Sequence, residues 1–233
     1  NKTARISLTG LLVADLSPMW AGPLCGRLLA TAGATVVKVE TPDRPDGTRT
    51  GNGGFFDWMN SEKLSYGVDL GAPELADLLA VADVVIEGSR PAGLARRGLG
   101  AEQVPARPGR VWVRITGYGA EHPDRVAFGD DAAVAGGLVV AQPGGPAFCG
   151  DAIADPLTGL RAALTVLDSL ARGGGEVIDV AMAAVAATYA ALPLTAVDTA
   201  PPQVPILPNP PARPLGADNA AVRALVAQRR VLC

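Results

Sequence analysis

The sequence predicts a three-layer α/β fold in which helices cover both faces of a mainly parallel, Rossmann-like sheet. The first observation is a β–α–β pattern at the start of the chain, with an apolar run at 11–15, helical spacing over 21–31 and a β-branched run at 35–40. Short connections between such elements are typical of parallel sheets covered by helices. The second observation is that short apolar runs and helical stretches keep alternating as far as residue 192.

Each element follows from a local pattern. Leu24, Leu28 and Leu29 have the spacing of one helix face, and Gly33 is placed to end that helix. Residues 41–52 are rich in Pro, Gly and Asp and are predicted to form a loop. We expect further strands at 66–70, 84–87, 111–117 and 176–180, and further helices at 74–81, 91–97, 131–140, 155–172, 181–192 and 219–230.

Composition narrows the function classes. The 233 residues carry 20 basic and 23 acidic side chains, a net charge of −3, without a basic block. Nucleic acid and anionic membrane are therefore not expected as partners. Cys25, Cys149 and Cys233 form an odd, scattered set that favours a reducing cytoplasm and offers no metal-ligand spacing. The polar first residues do not resemble a signal peptide, and the uncharged run 180–197 is predicted to be a buried helix.

The first β–α turn argues against a dinucleotide cofactor. A β–α–β start can bind NAD or FAD, with Glu40 at the end of the second strand holding a ribose. The turn does not match G-x-G-x-x-G, however, because Pro18, Trp20 and Pro23 stand where the backbone must approach a pyrophosphate closely. We therefore expect neither NAD nor FAD.

An Asp-Pro pair opens the long predicted helix 155–172. Asp155 can accept backbone N–H bonds at a helix start, and Pro156 suits the first helical position. The same arrangement can present a carboxylate at the mouth of a pocket, where it could act as a nucleophile. Spacing alone favours the capping role, and it leaves the catalytic role open.

Six segments together carry a family signature. They include Asn60-Ser-Glu-Lys63-Leu-Ser, which fits N-x-x-K-x-S, and Ala82-Asp-Val-Val-Ile-Glu87, which fits the start of ADV-x-x-E-N-F-x-P-G. The six lie in order at 21–40, 60–70, 82–100, 114–119, 154–182 and 214–225. They resemble the class III CoA-transferases, the family of formyl-CoA transferase, the carnitine CoA-transferases and α-methylacyl-CoA racemase. The resemblance covers residues 9–192 and 212–230.

The resemblance implies the fold of that family's large domain and an activity. Asp155 corresponds to the aspartate that attacks an acyl-CoA thioester, so that CoA passes through an anhydride and an aspartyl thioester to an acceptor acid. Asp151 is the nearest rival, but Thr158-Gly159-Leu160 fits the turn that follows the family's aspartate. Backbone donors at a helix start would stabilise the charge that develops.

The resemblance also implies contacts to CoA. The implied CoA-binding residues are Met19, Trp20, Ala21, Lys63, Gly88, Ser89, Arg96 and Met182. Lys63 and Arg96 would pair with phosphates of the nucleotide end, although isolated residues of these types are usually solvated surface charges. Gly88-Ser89 replaces a common Asn-Phe pair and removes an aromatic surface for adenine.

Racemase chemistry is disfavoured because it needs a histidine before the small-residue helix as partner base to the aspartate. Residues 127–131 contain none, and His122, the single histidine of the sequence, lies too early in a Pro-flanked loop.

The expected domain plan has three parts. Residues 1–198 form the large domain, 199–214 form a Pro-rich tether in place of the family's small domain, and 215–233 form a helix that packs on the large domain or on a partner subunit. Without the small domain's flap, the site would be more open to water.

Two hypotheses therefore stand. One is an enzyme that moves CoA between a CoA thioester and a small carboxylic acid without a metal. The other is a non-catalytic or partner-dependent CoA-binding subunit. The resemblance implies a homodimer, and a second chain could supply the small domain.

Overall fold

The structure is a computed structural model that describes residues 7–51, 53–88, 91–193 and 210–231. Most of the predicted tether 199–214 and the predicted boundary after residue 198 lie outside these residues, as does Ser89. No helix within the described part of the chain combines the length and apolar character needed to cross a bilayer.

A six-stranded, all-parallel sheet forms the centre of the fold. Its strand order is β3-β2-β1-β4-β5-β8. The strands are β1 (Leu12–Asp15), β2 (Thr35–Glu40), β3 (Leu64–Gly67), β4 (Val84–Glu87), β5 (Val111–Thr116) and β8 (Glu176–Ala181). The predicted parallel sheet is confirmed, with β3 beginning two residues before its predicted start.

Helices cover both faces, so the predicted three layers are confirmed. The helices are α1 (Ala21–Thr31), α2 (Gly53–Asn60), α3 (Pro73–Val81), α4 (Pro91–Ala95), α5 (Gly129–Ala135), α6 (Ala154–Ala171), α7 (Met182–Ala190) and α8 (Asn219–Val231). Successive strand residues point to opposite faces. Leu12 and Ala14 accordingly pack in one apolar cluster with Leu78 of α3, whereas Val13 packs in the other with Val166 of α6.

One local prediction was wrong, and one helix was not predicted. The helix predicted at 131–140 ends as α5 at Ala135, and a hairpin of β6 (Val139–Gln142) and β7 (Gly145–Phe148) follows. Gly137 has a φ of 77°, which ends a helix, and β-branched Val139 and Val140 favour a strand after it. The short helix α2 was not predicted, because it begins with two glycines, which are poor helix formers. It is stabilised by the burial of Phe56 and Met59.

The segment that leads into α8 covers the free edge of β3. Asp218 accepts a hydrogen bond from the Ser65 backbone at 2.8 Å and returns one from its own N–H at 3.1 Å. The Asn219 amide bonds both the N–H and the C=O of Gly67 at 2.9 Å. The side chains thus replace a neighbouring strand, and they hold α8 against the large domain of its own chain.

Candidate active site

Asp155 lies where the N-termini of three helices meet. It is the second residue of α6 and is half-buried. The first residues of α1 and α5, Ala21 and Gly129, lie against it, and their backbone N–H groups act to lower its pKa. Backbone N–H groups at a helix N-terminus have no partner within the helix and carry partial positive charge. The arrangement therefore favours negative charge at this point.

This meeting point lies at the carboxyl ends of β1 and β4, where the order of the parallel sheet reverses. Ligands of open parallel sheets bind in the crevice at such a reversal. The loops that follow the two strands pack closely, since a Cβ on Gly88 would lie 2.5 Å from Cβ of Ser17. A glycine at 88 thus lets the loop before α1 reach its place.

The acidity of Asp155 is strongly perturbed. Its pKa is raised from 3.8 to about 6: burial is the largest cause, the charge of Asp130 adds to it, and the backbone N–H groups of Gly129 and Ala21 partly oppose both. Because the pKa in the folded state exceeds that of the unfolded chain, ionising Asp155 costs folding free energy as the pH rises between these two values. A perturbed carboxylate in a sheet crevice is a candidate nucleophile.

Asp130 holds the turn that leads into α6. Its carboxylate accepts the N–H of Ala152 at 3.0 Å, and the C=O of Ala152 accepts the N–H of Asp155 at 2.8 Å. Ala152 has a φ of 44°, a left-handed conformation that non-glycine residues adopt where their surroundings impose it. Sequence reasoning missed Asp130, although the acidic pair 130–131 at the start of a small-residue helix was a signal.

Gly129 has no room for a side chain. A Cβ there would lie 2.3 Å from both the Ala152 oxygen and Oδ2 of Asp155. We therefore expect Gly129→Ala to lower the free energy of unfolding by about 1–3 kcal/mol, measured by urea denaturation. Gly144→Ala is the control, because nothing lies within 4 Å of that Cβ. Equal stability of the two variants would contradict the close approach.

The structure brings together several residues of the predicted CoA site. Met19 and Trp20 end the loop before α1 and Ala21 begins the helix, while Gly88 packs against Ser17 and Pro18 of the same loop. Met182 begins α7 and is buried in the same apolar cluster as Ala154 of α6. Arg96 is exposed in the turn after α4.

Trp20 is held by the helix that the sequence did not predict. Its ring packs edge-on against Phe55 of α2, with 5.1 Å between the ring centres. Its Nε1 is buried and has no hydrogen-bond partner among the residues that the structure describes. A buried donor without a partner costs free energy, so this indole N–H is an unsatisfied group in the loop before α1.

The phosphate contact expected from Lys63 is contradicted. Its Nζ is buried and donates to Oδ2 of Asp15 at 2.8 Å, to the Pro23 oxygen at 2.8 Å and to Oδ1 of Asn60 at 2.9 Å. An ammonium group has three donors, and all three are used. Lys63 is therefore a structural residue beneath α1. Within the described residues, no group of three His, Cys, Asp or Glu side chains could hold a metal ion.

Comparison with known proteins assigns the family. Residues 8–212 match the sequence model of CoA-transferase family III. The chain is 34% identical over 194 residues to succinyl-CoA–D-citramalate CoA-transferase of Chloroflexus aurantiacus, covering 74% of this chain and 48% of that protein. It is also 34% identical over 202 residues to the beta subunit of succinyl-CoA–L-malate CoA-transferase of the same organism, with coverages of 77% and 50%.

The fold agrees with this similarity. A crystal structure of a CaiB/BaiF family protein from Brucella suis superposes with a TM-score of 0.73 at 32% identity, covering 79% of this chain and 55% of that one. The chain spans about half the length of the curated relatives that it matches. With the sequence match, the parallel sheet and the superposition in agreement, this chain belongs to CoA-transferase family III.

Proposed function

We propose that this chain transfers CoA between an acyl-CoA thioester and a carboxylic acid, with Asp155 as the nucleophile. The observation that carries the proposal is the half-buried carboxylate of Asp155, with a pKa of about 6, at the meeting of three helix N-termini. Membership of the family supports CoA transfer in general. The part played by Asp155 rests on the geometry of the site and on its place in the resemblance.

The proposed reaction has four steps, each an acyl substitution. The Asp155 carboxylate attacks the thioester carbonyl, the C–S bond breaks, and an anhydride and CoA thiolate result. The thiolate then attacks the Asp155 carbonyl carbon and releases the donor acid, leaving an aspartyl-CoA thioester. The acceptor carboxylate attacks this thioester to give a new anhydride and thiolate. The thiolate finally attacks the acceptor's acyl carbon, which releases the new acyl-CoA and restores the Asp155 carboxylate.

The backbone supplies the electrostatic part of this chemistry. The N–H groups of Ala21 and Gly129 favour negative charge on this carboxylate and would stabilise the oxyanion that forms when its carbonyl carbon is attacked. For the CoA contacts we retain Met19, Trp20, Ala21, Gly88, Ser89, Arg96 and Met182 as proposals. The buried Nε1 of Trp20 offers a hydrogen bond from that set.

The pH dependence follows from the pKa of Asp155. The carboxylate attacks only when ionised, so formation of the first covalent intermediate should rise about tenfold per pH unit below pH 6 and level off above it. The measurement is the rate of adduct formation at saturating acyl-CoA across the range in which the chain stays folded. A rate that is already level at pH 4 would contradict the perturbed carboxyl.

The direct test traps the intermediate. The 233-residue chain is incubated with a panel of acyl-CoA thioesters and then with hydroxylamine, which converts an activated aspartyl group into a hydroxamate. We expect peptide mass spectrometry to place the hydroxamate on Asp155, and Asp155→Asn to abolish it. Absence of the adduct across a broad panel would overturn the proposal.

The second candidate is a partner-dependent CoA-binding subunit. One observation favours it: a relative that is 34% identical to this chain is named as a beta subunit. Calorimetric titration with CoA and a short acyl-CoA separates the candidates when combined with a turnover assay. Binding without turnover supports the subunit, whereas turnover that disappears in Asp155→Ala rejects it. The homodimer implied by the resemblance is also a proposal, tested by sedimentation of the purified chain.

A further inference from the structure

A fully buried ion pair lies behind the loop that precedes α1. Nζ of Lys38, in β2, is 2.9 Å from Oδ2 of Asp46, and the two side chains are 2% and 1% exposed. Burying both charges costs solvation free energy, and apolar replacements of such pairs are often as stable or more stable. The pair therefore needs an explanation other than stability.

The pair grips the loop at two backbone positions. Lys38 Nζ donates to the C=O of Ser17 as well as to Asp46. Oδ2 of Asp46 also accepts the N–H of Met19 at 3.1 Å. The Ser17 N–H is held in addition by Asp15 at 3.1 Å. Two buried charges thus fix the carbonyl and the amide on either side of Pro18.

The gripped segment has an unusual conformation. Met19 has a φ of 71°, in the left-handed region that a residue with a side chain adopts only when it is held there. The Met19 side chain itself is 41% exposed and so does not anchor the backbone. The contact from Asp46 to the Met19 N–H is therefore what holds this conformation.

This conformation leads directly into the first turn of α1. Ala21 follows Met19 by two residues, begins α1 and lies against α6, since a Cβ on Gly159, one turn after Asp155, would lie 2.6 Å from the Ala21 oxygen. The Ala21 N–H acts to lower the pKa of Asp155. We propose that Lys38 and Asp46 are positioning residues that act through Met19 to aim the Ala21 N–H at Asp155. An effect of Lys38 and Asp46 on turnover rests on the proposed function, whereas their positioning of the Ala21 N–H does not.

The test measures Asp155 directly, without turnover. In the chain labelled with ¹³C-aspartate, the carboxyl signal of Asp155 is identified by its loss in Asp155→Asn and titrated. The key variant is Lys38→Met with Asp46→Leu, which removes both charges together and leaves no unpaired buried ion. We expect the pKa of Asp155 to rise from about 6 to about 7, because a backbone donor is lost while its charged neighbour Asp130 is unchanged.

Two further variants distinguish positioning from a general loss of structure. Asp46→Asn keeps an acceptor for the Met19 N–H and should keep the Asp155 pKa near 6. Asp83→Asn weakens another ion-paired carboxylate, which bonds Arg107, Arg229 and the Leu12 N–H at the opposite end of the strands. It should lower the melting temperature without moving the pKa.

An unchanged Asp155 pKa in the folded double variant would overturn the inference, and so would an equal rise in Asp83→Asn. A rise confined to the double variant, in a chain that forms no hydroxamate, would instead preserve the positioning role and reject the proposed function. If the double variant does not fold, Lys38→Met with Asp46→Ala takes its place. This variant also lacks both charges and the acceptor for the Met19 N–H, so the same rise in the Asp155 pKa is expected and the same outcomes would overturn the inference.

Discussion

Asp155→Asn should reduce CoA transfer by about four orders of magnitude or more, the effect seen when the nucleophile of a covalent mechanism is removed. The amide cannot attack a thioester to form the anhydride, yet it has nearly the same shape and still offers one oxygen to the N–H groups of Ala21 and Gly129. The measurement is kcat/KM with an acyl-CoA that turns over in the unsubstituted chain, alongside a thermal unfolding curve to confirm the fold.

The matched control is Asp151→Asn. Asp151 is the nearest acidic rival in the sequence, and the structure leaves it exposed in the turn before α6. Its variant should keep kcat/KM within about tenfold, as expected for a surface residue outside the reacting atoms. Loss of activity in Asp151→Asn, with activity retained in Asp155→Asn, would show that Asp151 is the nucleophile and that Asp155 is not.

Lys63→Met should lower the free energy of unfolding at pH 7 by about 3–5 kcal/mol, because it leaves Asp15 charged and unpaired in the interior. Burial acts to raise the pKa of Asp15, but the charges of Lys63 and Lys38 outweigh it and hold the pKa below its ordinary value. A carboxyl with a lowered pKa contributes stability above its unfolded pKa and loses it as the pH falls. The cost of Lys63→Met should therefore shrink in acid, which urea denaturation at several pH values would detect.

A double variant provides the control. Asp15→Asn with Lys63→Met removes both charges and keeps an acceptor for the Ser17 N–H, so it should recover most of the lost stability. If Lys63→Met retained full stability but bound CoA more weakly, the phosphate role first inferred for Lys63 would be restored.

Local pattern was sufficient where an element depends on its own residues. The β1–α1–β2 unit was predicted to within one residue. Its β-branched runs and its leucines at helical spacing can be recognised within a few neighbouring residues of the sequence. Pattern failed at α2 and at the β6–β7 hairpin. The first is stabilised mainly by the burial of Phe56 and Met59, and the second follows a glycine pair inside an otherwise continuous run of small residues.

The candidate site divides in the same way. By itself, the sequence determined the α/β class, the family resemblance and the position of Asp155 at the start of a helix, because each of these is written in residues that are neighbours in the chain. Only the tertiary structure decided that Ala21 and Gly129 bring their N–H groups to that carboxylate. It also decided that Lys63 forms a buried ion pair with Asp15, and that Lys38 and Asp46 hold the loop before α1. These contacts join residues far apart in sequence, and the burial that gives them their strength exists only once the sheet and its two helical layers have packed.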